Sequence, residues 1–154
     1  MTKCIFSALN KVYLKSCFCR IICFNDFNDK LIQQTIKAFI SSFYSCKAAA
    51  IVAITTSGLT AKLCSKYRPH CPIVAVTRFD QVARQMQLHR GIIPVFYKEP
   101  RMENWMQDVE ERIQHGVDLG KKSGFIKSGQ PIVCITGWRQ GAGSSNTVRI
   151  LMAQ

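Results

Sequence analysis

From residue 47 onward the chain alternates short apolar runs with amphipathic stretches, and this alternation is the feature that most constrains its fold. The apolar runs cover residues 49–55, 72–77, 92–96 and 131–136, and helical spacing covers 59–67, 80–89 and 102–121. Continuously apolar runs of this length are typical of strands that are covered on both faces. We therefore predict an α/β fold, a three-layer open sheet of about five strands, mostly parallel, with helices on both faces. The fifth strand, at 147–152, alternates weakly and suits an edge, where an antiparallel direction is allowed.

The first 46 residues differ in character and are interpreted as a divergent segment rich in Cys, Phe and Lys that precedes a domain at 47–154. Only residues 29–43 have helical spacing there, and we predict one amphipathic helix. Five of the eight cysteines lie in this segment without paired C-x-x-C spacing, so buried or spare thiols are the simplest interpretation. A soft metal bound by Cys17, Cys19 and Cys23 is the less favoured alternative, because its fourth ligand would have to come from far along the chain.

The chain carries 21 basic and 9 acidic residues among 154, a net charge of +12, which attracts anions such as nucleic acid, phosphorylated metabolites or acidic lipid headgroups. A nucleic-acid-binding module stays open as an alternative function, although the basic residues are scattered rather than interleaved with aromatics on one face. Lys3, Lys11, Lys15 and Arg20 interrupt the apolar start, so we expect no membrane span and no secretory signal. The predicted location is cytoplasmic.

The strongest candidate site begins where the first strand ends, at Thr55, Thr56, Ser57, Gly58 and Thr60. The carboxyl ends of parallel strands meet at one sheet edge, where open α/β folds bind their ligands. Backbone N–H groups at a helix start, with hydroxyls beside them, favour a phosphate. The alternative is structural: Ser57 caps the following helix and Gly58 makes the turn.

A second candidate pair lies on the long helix, where Trp105 and Arg112 are seven residues apart and therefore share one flank. An apolar stripe of Met102, Met106, Val109, Ile113 and Val117 is expected to face the sheet, with the pair at a partly exposed edge. A guanidinium beside an indole suits an anion. The alternative is a half-buried tryptophan with a solvated arginine stacked on it.

The third candidate is the glycine-rich loop at 137–143, in which Gly137, Trp138, Arg139, Gly141 and Gly143 allow close approach of backbone to a ligand. It lacks the lysine of a Walker loop, which disfavours nucleoside triphosphate binding. No serine elbow, carboxylate pair or histidine dyad stands out, so we predict no catalytic residue.

Six motifs in order make these features specific: 55–61 (TTSGLTA), 67–69 (YRP), 71–78 (CPIVAVTR), 83–85 (ARQ), 89–95 (HRGIIPV) and 136–139 (TGWR). Together they closely resemble the C-terminal, regulatory domain of pyruvate kinase, over about residues 47–154. The resemblance implies binding of fructose 1,6-bisphosphate. It implies that Thr55, Thr56, Ser57, Gly58 and Thr60 hold one phosphate, that Trp105 and Arg112 hold the other, and that the 137–143 loop closes over the sugar.

The resemblance also implies what this chain does not carry. In the family, phosphoryl transfer from phosphoenolpyruvate to ADP uses a barrel domain with magnesium and potassium, and no such domain is recognisable here, so we expect no metal, no other cofactor and no activity of the chain alone. The family forms tetramers partly through this domain, so pyruvate kinase-like subunits or a second copy are the expected partners. A second hypothesis is that the chain is one part of a full-length pyruvate kinase.

Overall fold

The computed structural model describes residues 22–23, 46–137 and 145–154. The elements follow in the order β1 (Ile22–Cys23), β2 (Ala50–Ile54), α1 (Leu59–Lys66), β3 (Ile73–Thr77), α2 (Asp80–Met86), β4 (Ile92–Phe96), α3 (Trp105–Lys122), β5 (Pro131–Gly137) and β6 (Ser145–Met152). Every strand and helix predicted after residue 47 is present, with bounds that differ by a few residues. The predicted helix at 29–43 and the cysteines at 17 and 19 lie outside the described residues.

The described strands form one mixed sheet in the order β1-β6-β5-β2-β3-β4. β5, β2, β3 and β4 are parallel to one another, whereas β6 is antiparallel to β5. The predicted α/β class and the antiparallel strand are therefore confirmed. One difference is that β6 is not outermost, because Ile22 and Cys23 pair with Val148 and Thr147 on its far side.

Helices cover both faces of the sheet. Alternate residues of the central strands therefore belong to two separate cores. On one face, Ile51, Ala53, Ile73 and Ala75 pack with residues of α1 and α2, among them Met86. On the other face, Val52, Ile54, Val74 and Val76 pack with Val109, Ile113 and Val117 of α3. β2 and β3 are buried along their whole length, as strands covered on both faces must be. Within the described ranges, none of the helices has the length and apolar character needed to cross a bilayer.

The buried face of α3 differs from the predicted apolar stripe. Val109, Ile113 and Val117 face the sheet as expected, but Met102 precedes the helix and Met106 is 58% exposed. The buried face instead includes Gly116 and Gly120, together with Asp108 and Arg112. The predicted stripe was therefore wrong at Met102 and Met106. It also omitted the two glycines, because a glycine has no apolar side chain, although it allows a helix to approach the sheet closely.

Because two thiols, those of Cys64 and Cys71, have raised pKa values in the folded protein, we expect its stability to fall at alkaline pH. Burial raises the pKa of Cys64 from 9.0 to about 12, with the charge of Cys71 adding to the effect, and burial likewise raises the pKa of Cys71 to about 12. The unfolded chain loses these protons first, so the thiols' contribution is complete below about pH 9 and is lost as the pH rises toward about 12. We expect urea midpoints to fall between about pH 8 and about pH 10, and to fall less when Cys64→Ala and Cys71→Ala are combined. Equal pH slopes for the two proteins would contradict this assignment.

Candidate anion-binding site

The carboxyl edge of the sheet brings the predicted site elements to one side of the molecule. β2, β3, β4 and β5 run in the same direction, so the turn after Ile54 and the loop after Gly137 start at the same edge. β6 is antiparallel and therefore begins there, at Ser145. α3 follows β4 and its first turns also reach this edge, since Asp108 is bonded to Arg78, the residue after β3.

The hydroxyl turn, residues 55–60, has a fixed backbone. The Oγ1 atom of buried Thr55 accepts a hydrogen bond from the N–H of Gly58, at 2.9 Å. Gly58 is the N-cap of α1 and has a φ of 79°, a left-handed conformation that favours glycine. No side chain caps α1, so the turn by Gly58 is confirmed and the alternative of a Ser57 cap is wrong. The N–H groups in the first turn of α1 lack intrahelical acceptors and are available to an anion.

The hydroxyl turn also contacts the glycine-rich loop region. Thr60 is 5% exposed, and its Oγ1 atom lies 2.8 Å from the Oγ of Ser145, at hydrogen-bond distance. Ser145 pairs with Gly137 across the end of the β5-β6 hairpin. The turn and the two ends of the loop therefore meet, as the sequence predicted. The loop residues Trp138, Arg139, Gly141 and Gly143 lie outside the described residues.

Arg112 and Trp105 are adjacent on α3, as the helical spacing predicted. The guanidinium carbon of Arg112 lies 5.1 Å from the centre of the Trp105 ring, within cation–π range. Their burial differs from the expectation of a partly exposed edge: Trp105 is half-buried, and Arg112 is only 6% exposed. The alternative of a solvated arginine is therefore wrong. A buried guanidinium requires a counter-charge, which the structure supplies.

That counter-charge is Asp108, a 3% exposed carboxylate that the sequence analysis missed. Its Oδ2 lies 2.7 Å from Nη2 of Arg112, and its Oδ1 accepts a bond of 2.6 Å from Nη2 of Arg78. The N–H of Met102 also donates to Oδ1, at 3.3 Å. The i,i+4 spacing of Asp108 and Arg112 was a usable signal for their ion pair, whereas Arg78 is too distant in sequence to be paired by spacing.

The cluster of Arg78, Asp108, Arg112 and Trp105 has more donors than acceptors. Two guanidiniums share one carboxylate, which leaves a net charge of +1. Among the described residues, Nε of Arg78 and Nε1 of Trp105 are buried without a hydrogen-bond acceptor, while Nη2 of Arg112 is paired with Asp108. Burial lowers the pKa of Arg112, and Asp108 opposes this shift. Because an arginine stays charged even so, this arrangement favours an additional anion.

The hydroxyl turn and the Trp105–Arg112 pair flank the same edge from opposite faces of the sheet. α1 begins on one face and α3 on the other, with the end of β2 between them. Trp105 packs on the core that includes Ile54, the residue before the turn. Within the described part of the chain, no hydrogen bond or ion pair joins the two, so a ligand touching both would have to extend across the sheet edge.

Metal ligands are not grouped anywhere in the described ranges. Residues 46–137 and 145–154 contain no cluster of three His, Cys, Asp or Glu side chains with metal-binding geometry. Asp108, the buried carboxylate at the candidate site, already lies between two guanidiniums. Its environment therefore does not fit that of a magnesium or potassium ligand.

The topology and the donor-rich sheet edge define a three-layer α/β domain of the kind that places ligands outside the carboxyl ends of its strands. The chain belongs to the pyruvate kinase family: the family model described as pyruvate kinase, alpha/beta domain, matches residues 33–151. It is 44% identical over 112 residues to pyruvate kinase PKLR of Homo sapiens, a match that covers 73% of this chain and 20% of that protein.

Two fungal proteins are similar to the same extent. The chain is 46% identical over 116 residues to pyruvate kinase of Candida albicans and 46% identical over 112 residues to pyruvate kinase 1 of Saccharomyces cerevisiae. These matches cover 75% and 72% of this chain, and 23% and 22% of the two relatives. The chain therefore spans about a fifth of the length of the curated relatives it matches, within their C-terminal region.

Proposed function

We propose that this chain is a regulatory and subunit-contact module of pyruvate kinase that binds a sugar bisphosphate, fructose 1,6-bisphosphate or a close analogue, and has no catalytic site of its own. The observation that carries the proposal is the buried Arg112, whose guanidinium is held against Trp105 by Asp108 while donors around it lack acceptors. Such a group attracts an anion, and the hydroxyl turn offers a second anion site at the same sheet edge.

In this proposal the two phosphates bind at opposite ends of the site. Backbone N–H groups after Gly58, with the hydroxyls of Thr56 and Ser57, hold one phosphate. Arg112 and the indole N–H of Trp105 hold the other. The loop from Gly137 to Gly143, with Trp138 and Arg139, closes over the sugar.

The composition of the hydroxyl turn bears on affinity and selectivity. Residues 55–60 contain no charged side chain, and Leu59, which is 41% exposed, stands within the turn where many members of the family have a basic residue. Gln140, Ser144 and Ser145 likewise replace the proline and bulkier pair common in the loop. We infer that this end of the site relies on backbone dipoles and hydroxyls, so that more of the binding energy comes from the Arg112 end.

The name pyruvate kinase belongs to relatives of which the match covers only 20% and 23%, and we assign their activity only to a protein that also contains their other regions. Self-association or contact with pyruvate kinase-like subunits is supported by exposed apolar side chains, among them Leu88, which is 86% exposed, and Met152. A cytoplasmic location fits the unbridged thiols of Cys64 and Cys71.

Calorimetric titration of fructose 1,6-bisphosphate tests the site. We expect saturable binding by the unaltered chain, and Arg112→Ala should weaken it by about ten- to a hundredfold, because a charge-assisted contact of about 1.5 to 3 kcal/mol is lost. Asp108 keeps its bond to Arg78 in this variant, so the fold should persist. Arg84→Ala, which removes an exposed arginine paired with Asp80, is the matched control and should bind normally. No heat at about millimolar ligand, or equal affinity in the Arg112 variant, would contradict the proposal.

A further inference from the structure

The segment between β4 and α3 presents one more arginine to the candidate site. Arg101 was not among the residues selected from the sequence, and it is exposed. The backbone on each side of it is tied to the buried cluster: the carbonyl of Pro100 accepts a 3.2 Å bond from Arg78, and the N–H of Met102 donates to Asp108. Arg101 is therefore fixed at its backbone next to the Arg78–Asp108 ion pair.

Arg101 adds a positive charge beside the cluster. Burial is the main cause of the lowered pKa of Arg112, and the charges of Arg78 and Arg101 act in the same direction. Among the described residues, Arg101 makes no ion pair. Two acidic residues of α3 are engaged elsewhere, Glu110 with Arg149 and Glu111 with the hydroxyl of Tyr97. Lys98, the other cation of the segment, lies 5.9 Å from the centre of the Phe96 ring.

The balance of charge suggests the kind of ligand. Arg78 and Arg112 share one buried carboxylate, Asp108, and the backbone next to Arg101 is bonded to the same ion pairs. A phosphate monoester carries a charge of about −1.5 to −2 near neutral pH and has three acceptor oxygens. The two arginines bonded to Asp108 exceed its charge by one, so a phosphate dianion beside them and Arg101 is electrostatically favoured.

We propose that Arg101 is a second cationic ligand of the phosphate bound at the Trp105–Arg112 end, and that it makes this end of the site selective for a dianionic phosphate monoester. The inference deepens the proposed function and rests on it. Arg101 contributes from the exposed side, where it can fold over a bound phosphate, while Arg112 contributes from the buried side. Arg101 thus supplies a positive charge at this end of the site, whereas the hydroxyl turn at the other end has no charged side chain.

Titration of fructose 1,6-bisphosphate and of inorganic phosphate into matched variants tests this inference. We expect Arg101→Ala to raise the dissociation constant by about three- to tenfold for both ligands, since one partly exposed charge-assisted contact is lost. Lys98→Ala removes the same charge from the same segment and should change affinity by less than about twofold. Arg101→Lys should restore part of the affinity, because it keeps the charge without the guanidinium fork. Equal urea midpoints will show that all three variants fold.

The outcomes separate the two proposals. If Arg112→Ala weakens binding but Arg101→Ala matches Lys98→Ala, the role of Arg101 is overturned and the proposed function stands. If Arg101→Ala weakens binding of the bisphosphate but not of inorganic phosphate, Arg101 does not contact a phosphate and the inference is also overturned. If the unaltered chain binds neither ligand, the proposed function fails and the inference fails with it.

Discussion

Replacement of Asp108 by Asn is expected to lower the free energy of unfolding by about 3 to 5 kcal/mol, the usual cost of removing one partner from a buried ion pair. The Asp108 carboxylate is 3% exposed and is bonded to both Arg78 and Arg112. Asparagine has nearly the same shape and can still accept from the N–H of Met102, but it carries no charge. Two guanidiniums with little access to water would then repel each other without a counter-ion.

Urea unfolding followed by circular dichroism measures this loss. The control is Asp80→Asn, which removes an exposed i,i+4 ion pair with Arg84 and should cost less than about 1 kcal/mol. An Asp108→Asn variant as stable as the control would show that the carboxylate does not hold the two arginines in the folded protein. Added inorganic phosphate should restore part of the lost stability if the cluster binds an anion, because a ligand that binds only the folded state stabilises it.

The second large effect is expected at Gly116, where α3 packs directly against the sheet. A Cβ atom at this position would lie 3.0 Å from a methyl carbon of Val76, 3.3 Å from one of Val74 and 3.4 Å from one of Val52. Valine adds two further methyl groups that point into this packed layer. We expect Gly116→Val to destabilise the protein by about 3 kcal/mol, at the upper end of the usual cost of overpacking.

The matched control is Gln107→Val on the exposed side of α3, which tests the helix propensity of valine without the clash and should cost about 0.5 kcal/mol. Denaturant midpoints of the two variants give the comparison. A loss at Gly116 no larger than at Gln107 would mean that the helix can move away from the sheet at little cost. Displacement of α3 would also move Trp105 and Arg112, so ligand affinity should fall in the Gly116 variant alone.

Local pattern was sufficient for the elements and their order. Strands such as Ile73–Thr77 are apolar throughout, and the helices between them have helical spacing, so the parallel sheet with two covered faces followed from covalent geometry and burial. The turn at Gly58 was also predictable, because only glycine adopts its φ of 79° without strain. The hydroxyl turn and the Trp105–Arg112 pair were also recognised from the sequence, because each combines suitable residue types at a suitable spacing.

Contacts between residues distant in sequence were not predictable in this way. The apolar pattern counted Met106 as core and overlooked Gly116, because hydropathy reports which side chains avoid water and not how closely two backbones approach. The same pattern left Arg112 at an exposed edge, although it is buried.

The sequence by itself determined the α/β class, the order of strands and helices, and the hydroxyl turn, since these depend on local backbone preference and on the burial of adjacent residues. Only the tertiary structure decided that Asp108 joins Arg78 to Arg112 and that Thr60 meets Ser145. It also decided that the hydroxyl turn and α3 lie on opposite faces of one sheet edge. Charge and hydrogen-bond partners are set by distance in space, and the chain brings these groups together only when the sheet and its helices pack.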